Sequence, residues 1–390
     1  MADDNNTGAL VKGTILRSVN FEYRIDRVLG AGSFGITYLA FAKVRIGNVT
    51  STVPFAIKEY FTKTCYRDTD GMRMVPTPVT VDEVNLGRAD FLVEARRLQH
   101  LCRLSRNIVD VNETFETNGT AYYVMEFLDG GSPGVMPEAE ALQLLREVAV
   151  AVGYIHQEKV LHLDIKPDNI VMKTDDEGRT FPVLIDFGVA KHFDRSGKPT
   201  SQLSAKGASS GYAPQEQYAG ISQFSPKYDV YALGALLLYL LSGKNPPDAF
   251  QISPSQNELK QLFPDGVSEA TRKLVLKAMK SSSFERTPDT STLVNEIDAA
   301  IAALSAAPSV QTPTPVTPIA IPTKRKKSSE IPAYQQEAAE QLRRQAEEKA
   351  RREAEEKARK EAEAQEKARR EAEEKARKEA EAQEKARREA

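Results

Sequence analysis

The chain has 390 residues, enough for two ordinary domains or one large two-lobed domain with extensions. Its 53 basic and 55 acidic residues leave a formal net charge of −2, which gives no global drive toward nucleic acid or an anionic membrane. Residues 1–8 lack the apolar stretch of a secretory signal, and the best apolar run, 231–241, is far shorter than the ~20 residues of a membrane helix, so a cytoplasmic protein is expected.

Four zones follow in chain order. Residues 1–20 form a polar lead-in and residues 21–304 have mixed globular composition. Residues 305–334 are a linker rich in proline and threonine, with a basic cluster, and residues 335–390 are a charged repeat. The globular zone opens with Tyr23-Arg24-Ile25-Asp26-Arg27-Val28-Leu29, which alternates polar and apolar as a half-buried strand does. The loop Gly30-Ala31-Gly32-Ser33-Phe34-Gly35 follows, and a second strand is predicted at residues 36–41. Glycines let a backbone approach phosphate oxygens and offer amide hydrogens to them. A dinucleotide-binding loop of this spacing opens a helix. Strands on both sides point instead to a flap over ATP.

Residues 53–57 are a short apolar strand ending in Lys58. A buried ammonium there needs a partner. A phosphate pair and a carboxylate both qualify, and Glu94, in the helix that follows, is the carboxylate expected. It sits on a helix expected from about Arg88 to Cys102, with Phe91, Ala95, Leu98 and Cys102 on one face. Before that helix, the turn Asp68-Thr69-Asp70-Gly71 predicts a hairpin. Cys65 and Cys102 form no C-x-x-C pair and read as free thiols. Residues 120–127 are another apolar strand.

The rest of the globular zone reads as mainly helical. Pro137 opens a helix with Leu144, Leu145, Val148, Val152 and Ile155 at helical spacing. His162-Leu163-Asp164-Ile165-Lys166-Pro167-Asp168-Asn169 places a carboxylate, an ammonium and an amide oxygen within six residues. Asp164 is suited to accept a hydroxyl proton, Lys166 to neutralise a moving phosphoryl group, and Asn169 to ligate a hard cation such as magnesium. Asp186-Phe187-Gly188, after the apolar run 182–185, offers a second oxygen ligand. Residues 229–242 are apolar nearly all round, as a core helix is, and Leu293, Ile297, Ile301 and Leu304 mark the last helix.

These blocks, in this order, resemble the signature series of the eukaryotic-type (Hanks-type) protein kinase family over about residues 21–304. Ala213-Pro214-Gln215-Glu216 resembles the end of the family's activation segment, with Arg286 placed to pair with Glu216. The wording Tyr212-Ala213-Pro214-Gln215-Glu216-Gln217-Tyr218 looks most like bacterial serine/threonine members. The resemblance implies an α+β fold of two lobes: a small antiparallel β lobe with one helix, about 21–127, and a large mainly helical lobe, about 128–304. ATP and Mg2+ are the implied cofactors. The nucleotide would lie against Gly30, Ala31, Gly32, Ser33, Phe34, Gly35, Thr37, Ala56 and Lys58. Met125 would be the gatekeeper, with Glu126 and Leu128 in the hinge. Asp164, Lys166, Lys58 and Glu94 carry the implied catalytic roles, Asn169 and Asp186 hold the metal, and Ser209 braces Asp164 and Lys166.

The implied activity is transfer of the ATP γ-phosphoryl group to serine or threonine hydroxyls of protein substrates, its own chain among them. The competing reading is a catalytically weak kinase-fold scaffold with a helical spacer. A small-molecule phosphotransferase fits less well, because the activation segment suits a protein substrate. Three departures stand out. Leu163 replaces the arginine that in the family pairs with an activation-segment phosphate, so activity independent of such phosphorylation is expected. Thr37 replaces a valine over adenine. Residues 64–87 are an insertion before the helix bearing Glu94. His162 is expected as a packed core group rather than a catalytic one.

The linker repeats proline in Thr312-Pro313-Thr314-Pro315-Val316-Thr317-Pro318, which favours extended, disordered chain, and Lys324-Arg325-Lys326-Lys327 follows. Residues 348–365 recur unchanged at 366–383, each repeat with six acids and six bases. Pairs such as Glu348→Arg352 and Glu353→Lys357 have the favourable i,i+4 order, together stabilising a repeat by about 1–2.5 kcal/mol. Alanine makes a poor coiled-coil seam. A charged single helix, spacing or binding partners, is therefore expected for 335–390, with a weak oligomerisation helix as the competing reading.

Overall fold

The computed structural model describes residues 8–32, 35–46, 49–187, 190–194, 196–199 and 208–306. The linker from residue 307 onward, the charged repeat expected to be a helix, Ser33 and Phe34 lie outside the described residues, while residues 305–306 end the last helix.

The first lobe is built on one six-stranded antiparallel sheet. Its strands are β1 (Ile15–Arg17), β2 (Glu22–Gly32), β3 (Gly35–Ile46), β4 (Val49–Tyr60), β7 (Val111–Thr117) and β8 (Thr120–Glu126), in the order β1-β2-β3-β4-β8-β7. Alternation sorts β4 into two faces. Phe55, Ile57 and Glu59 share one, and Ala56, Lys58 and Tyr60 the other. The sheet curls. Tyr23 of β2 stacks on Phe115 of β7 with centroids 6.2 Å apart, and its hydroxyl donates to Glu113 at 2.7 Å. Strands well separated in the sheet order thus meet across its concave face, where Phe115 also stacks on Tyr122 at 5.1 Å.

The expected polar lead-in is part of this fold from residue 8 onward. Leu10 and Leu16 are buried, β1 pairs with β2, and the Leu10 N–H donates to the Tyr38 hydroxyl at 3.1 Å. Two apolar side chains in a polar stretch suffice to anchor an edge strand. The predicted hairpin forms as β5 (Cys65–Arg67) and β6 (Met74–Pro76). Both cysteines are free thiols.

The helix bearing Glu94, α1 (Val81–Leu101), starts earlier than Arg88. A 3-10 turn at Pro78–Thr80 leads into it, Asp82 and Glu83 favour the positive end of its dipole, and buried Val84 ties down the first turn. The last seven residues of the predicted insertion, 81–87, are therefore already α-helical. Phe91 packs on Tyr60 and Tyr123, which seats α1 on the Lys58 face of the sheet. Gly87 makes that seat possible: a Cβ there would lie 2.2 Å from the Tyr60 hydroxyl oxygen.

The second lobe is helical around α4 (Lys227–Ser242), whose residues 229–238 are buried except at its flanks, as the apolar run predicted. Gly243 ends it in the left-handed conformation, φ 69°. The helix after Pro137, α2 (Glu138–Gln157), packs on α4 and on α7 (Thr290–Ala306), and α6 (Glu269–Ala278) packs on α4 and α7. Shorter elements are β9 (Val160–Leu161), β10 (Ile170–Thr174), β11 (Thr180–Leu184), β12 (Lys191–His192), α3 (Gln215–Tyr218) and α5 (Asn257–Lys260). The two-lobed α+β arrangement expected from the sequence is the one observed. No helix among the described residues is long and apolar enough to cross a membrane.

Gly87→Ala should lower stability by about 1–3 kcal/mol through overpacking against Tyr60. Adding Tyr60→Phe, which removes the clashing oxygen, should restore part of the loss. Thermal melts of the two variants check this, and additive losses would contradict it.

Candidate active site

Between the lobes lies a cleft of about 730 Å³. Its roof comes from the β2–β3 hairpin and β4. Gly30 pairs with Thr37, Ala31 with Ile36 and Gly32 with Gly35, so the described residues of the glycine loop lie in paired strands and do not begin a helix. Gly30, Ala31, Gly32, Gly35, Thr37, Ala56 and Lys58 all line the cleft. Ala56 pairs with Met125 across β4 and β8, and Met125, Glu126 and Leu128 form the back wall. The Glu126 carboxylate accepts from Lys173 on β10 at 2.5 Å and from the Asp110 N–H at 3.2 Å, which ties the connecting segment to the second lobe.

The floor carries the polar groups. Asp164 is held from three sides. Lys166 donates to its two oxygens at 2.9 and 3.1 Å, Asn169 Nδ2 donates to Oδ2 at 2.7 Å, and the Ser209 hydroxyl donates to Oδ1 at 2.5 Å. Lys166 also reaches Ser209 Oγ at 2.9 Å, closing the expected brace. Because Asn169 Nδ2 donates to Asp164, its Oδ1 is left as the atom suited to ligate a cation.

Lys58 crosses from roof to floor. Its ammonium, 9% exposed, lies 2.5 Å from Asp186 Oδ1 and 5.9 Å from the centre of the Tyr123 ring. Burial opposes its charge, but Asp186 foremost, then Tyr123 and Glu94, outweigh this and hold its pKa above the ordinary lysine value. The direct carboxylate partner of Lys58 is thus Asp186. Glu94 is half-buried on α1, lies outside the cleft lining, and makes no hydrogen bond or ion pair with Lys58 among the described residues. Burial pushes the Glu94 carboxyl up to about 8, against the pull of Lys58. The two acids differ in solvent access: Asp186 is 43% exposed, whereas burial penalises the charged form of Glu94.

The loop behind Asp164 hangs on α4. Asp229, fully buried, accepts the N–H of His162 at 2.9 Å and of Leu163 at 2.8 Å, and pairs with His156 Nε2 at 2.7 Å. These bonds hold Leu163 at φ 66°, a left-handed conformation that costs a non-glycine residue ~1–2 kcal/mol. His162 is the packed group expected: it is buried against Phe187 with ring centres 4.6 Å apart, and burial pushes its pKa down. Arg286 meets Glu216 at 2.7 Å, the pairing read from the sequence.

Several lining residues escaped sequence reading. Leu29, Val171 and Ile185 give the cleft apolar walls suited to a flat ring, with Val109 beside them. Leu29 directly precedes the glycines and Ile185 precedes Asp186, so proximity to a motif was the available signal. Val109 had none.

The donor set fits a magnesium ion. Asn169 Oδ1 and the Asp186 carboxylate are hard oxygen donors, few in number, as befits a cation that takes its other ligands from phosphates and water.

A protein kinase domain family model matches residues 23–295, more than half of the chain. The serine/threonine-protein kinase PknA of Nostoc sp. is 30% identical over 249 residues, 61% of this chain and 40% of that protein. Serine/threonine-protein kinase PknJ of Mycobacterium tuberculosis is 33% identical over 238 residues, 59% of this chain and 35% of that protein. The chain thus spans well under half the length of these relatives. A solved structure, the PpkA-294 apo form, aligns with a TM-score of 0.57 at 28% identity, covering 74% of this chain and 99% of that one. With the glycine hairpin, Lys58 and the Asp164 loop gathered on one cleft, and the family model running through all of them, the chain belongs to the protein kinase family, in the Hanks-type serine/threonine class of these bacterial relatives.

Proposed function

We propose that this chain transfers the γ-phosphoryl group of ATP to serine or threonine hydroxyls of proteins, with magnesium as the metal. One observation carries the reading. Residues as far apart in sequence as Gly30 and Ser209 converge on a single cleft that offers glycine amides, a buried ammonium, two metal-type oxygens and a braced carboxylate.

The chemistry asked of the protein is positioning and charge compensation. Adenine would slot between Leu29, Ala56, Val171 and Ile185. Lys58 would exchange part of its contact with Asp186 for phosphate oxygens, which frees that carboxylate to ligate. Asn169 and Asp186 would hold the magnesium, which when bound neutralises phosphate charge. Asp164 orients the incoming hydroxyl and takes its proton as the new P–O bond forms. Lys166, bonded to Asp164, offsets negative charge on the group in flight. ADP leaves with the electron pair of the broken P–O bond. The scaffold reading would need one of these groups to be missing, and none is.

The activation segment has an apolar anchor where the family uses a phosphate. Leu163 clusters with Leu161, Phe193 and Ile221, and with Phe224 and Tyr228 at the margin. Phe193 and Phe224 meet edge to face at 5.5 Å, Lys159 sits 4.8 Å from the Phe224 ring centre, and Gln217 Nε2 donates to the Leu163 carbonyl at 2.9 Å. Burial of apolar surface holds the segment without an added charge. This supports activity independent of activation-segment phosphorylation.

Two outcomes are expected. Asp164→Asn should cut phosphoryl transfer to protein by at least ~10³-fold while changing ATP affinity only a few-fold. Labelled ATP and a nucleotide-binding assay check this, and retained turnover would refute the assignment. Protein freed of phosphate by a phosphatase, verified by mass spectrometry, should keep most of its initial rate; a collapse of that rate would refute the apolar anchor.

A further inference from the structure

The inserted hairpin delivers a charge into the curled sheet. Arg67 on β5 and Glu59 on β4 form an ion pair at 2.5 Å, with side chains 8% and 0% exposed. The pairing is bidentate, with a second bond at 2.8 Å. Glu59 lies on β4, between β3 and β8, and also accepts from Tyr38 of β3 at 2.7 Å and Tyr122 of β8 at 2.8 Å. One carboxylate therefore joins three adjacent strands to the hairpin. The remaining donors of Arg67 are used as well. Nε bonds the Gly8 carbonyl at 2.8 Å and a terminal nitrogen bonds the Met72 carbonyl at 3.1 Å, while the guanidinium lies 4.6 Å from the Phe61 ring centre.

Glu59 follows Lys58 directly, and its side chain leaves the opposite face of β4. Its carbonyl is the floor on which Gly35 rests: a Cβ on Gly35 would lie 2.3 Å from that oxygen and 3.8 Å from Lys58 Cε. A charge pinned on one face of β4 thus sets the position of both phosphate-facing elements on the other. A buried carboxylate with one arginine, two hydroxyls and no solvent has few alternative positions. We propose that Arg67 is a positioning residue for nucleotide: acting through Glu59, it clamps β4 and so fixes Lys58 and the glycine loop over the phosphates.

The inference rests on the cleft being an ATP site, and the clamp can be tested separately from it. Arg67→Met leaves the Glu59 carboxylate buried without its partner and is the variant at risk of misfolding. Pairing it with Glu59→Gln removes both charges and leaves an amide that can accept from one tyrosine hydroxyl and donate to the other, so Arg67→Met/Glu59→Gln in the full chain is the informative variant. Its KM for ATP should rise about tenfold while kcat falls less than about threefold, the pattern of lost ground-state contacts rather than lost active enzyme. The KM for the protein substrate should hold. Arg67→Lys, which keeps the charge but not the fork, should fall between. Hydrogen exchange without nucleotide should speed up across residues 53–60 and stay unchanged in α4. A folded double variant with wild-type KM for ATP, or one that loses kcat alone, would overturn the proposal. If the wild-type chain transfers no phosphate, the ATP reading fails, and unaltered protection of residues 53–60 in the variant would then be what overturns the clamp.

Discussion

The second lobe depends on a single buried carboxylate. Asp229, in the first turn of the most apolar helix, accepts two consecutive backbone N–H groups from the loop that carries Asp164. Without it, those two donors would sit unsatisfied in the core, and Leu163 would have no reason to hold φ 66°. The helix around Asp229 is buried on nearly every side, so the loop inherits the rigidity of the core. The floor of the cleft is therefore positioned by packing two layers beneath it.

The first lobe solves a similar problem by different means. Its sheet carries α1 on the Lys58 face and curls until Tyr23 and Phe115 stack across its concave face. Apolar stacking fixes the curvature and the carboxylate of Glu59 fixes the register of three strands at one end. Seen together, the two lobes each use a fully buried acid, paired on every side, to turn a flexible stretch of chain into a fixed one. The acids that face the cleft, Asp164 and Asp186, remain partly exposed.

Electrostatic exposure also explains the one local pairing that sequence reading misplaced. Glu94, on the helix that follows, was the carboxylate expected for Lys58, and Asp186 is the one that meets it. Spacing says which groups can come near. It carries no information about how dry each group will be, and burial is what penalises a charge on Glu94. The early start of α1 has the same origin. Acidic residues and a buried valine ahead of Arg88 were visible, but the depth of Val84 in the lobe was not.

The sequence by itself determined the elements and the chemistry. Alternation marked the strands, the apolar run marked α4, and the glycine, lysine, Asp164–Asn169 and Asp186 blocks named the cleft, because side-chain type and local period are written residue by residue. The tertiary structure decided what depends on neighbours distant in the chain. Leu10 was buried and Leu16 joined the sheet, Arg67 found Glu59 and the Gly8 carbonyl, and Leu163 met Phe193 and Ile221. Burial and partner choice arise only when separate segments share a volume, and no local pattern encodes which segments those will be.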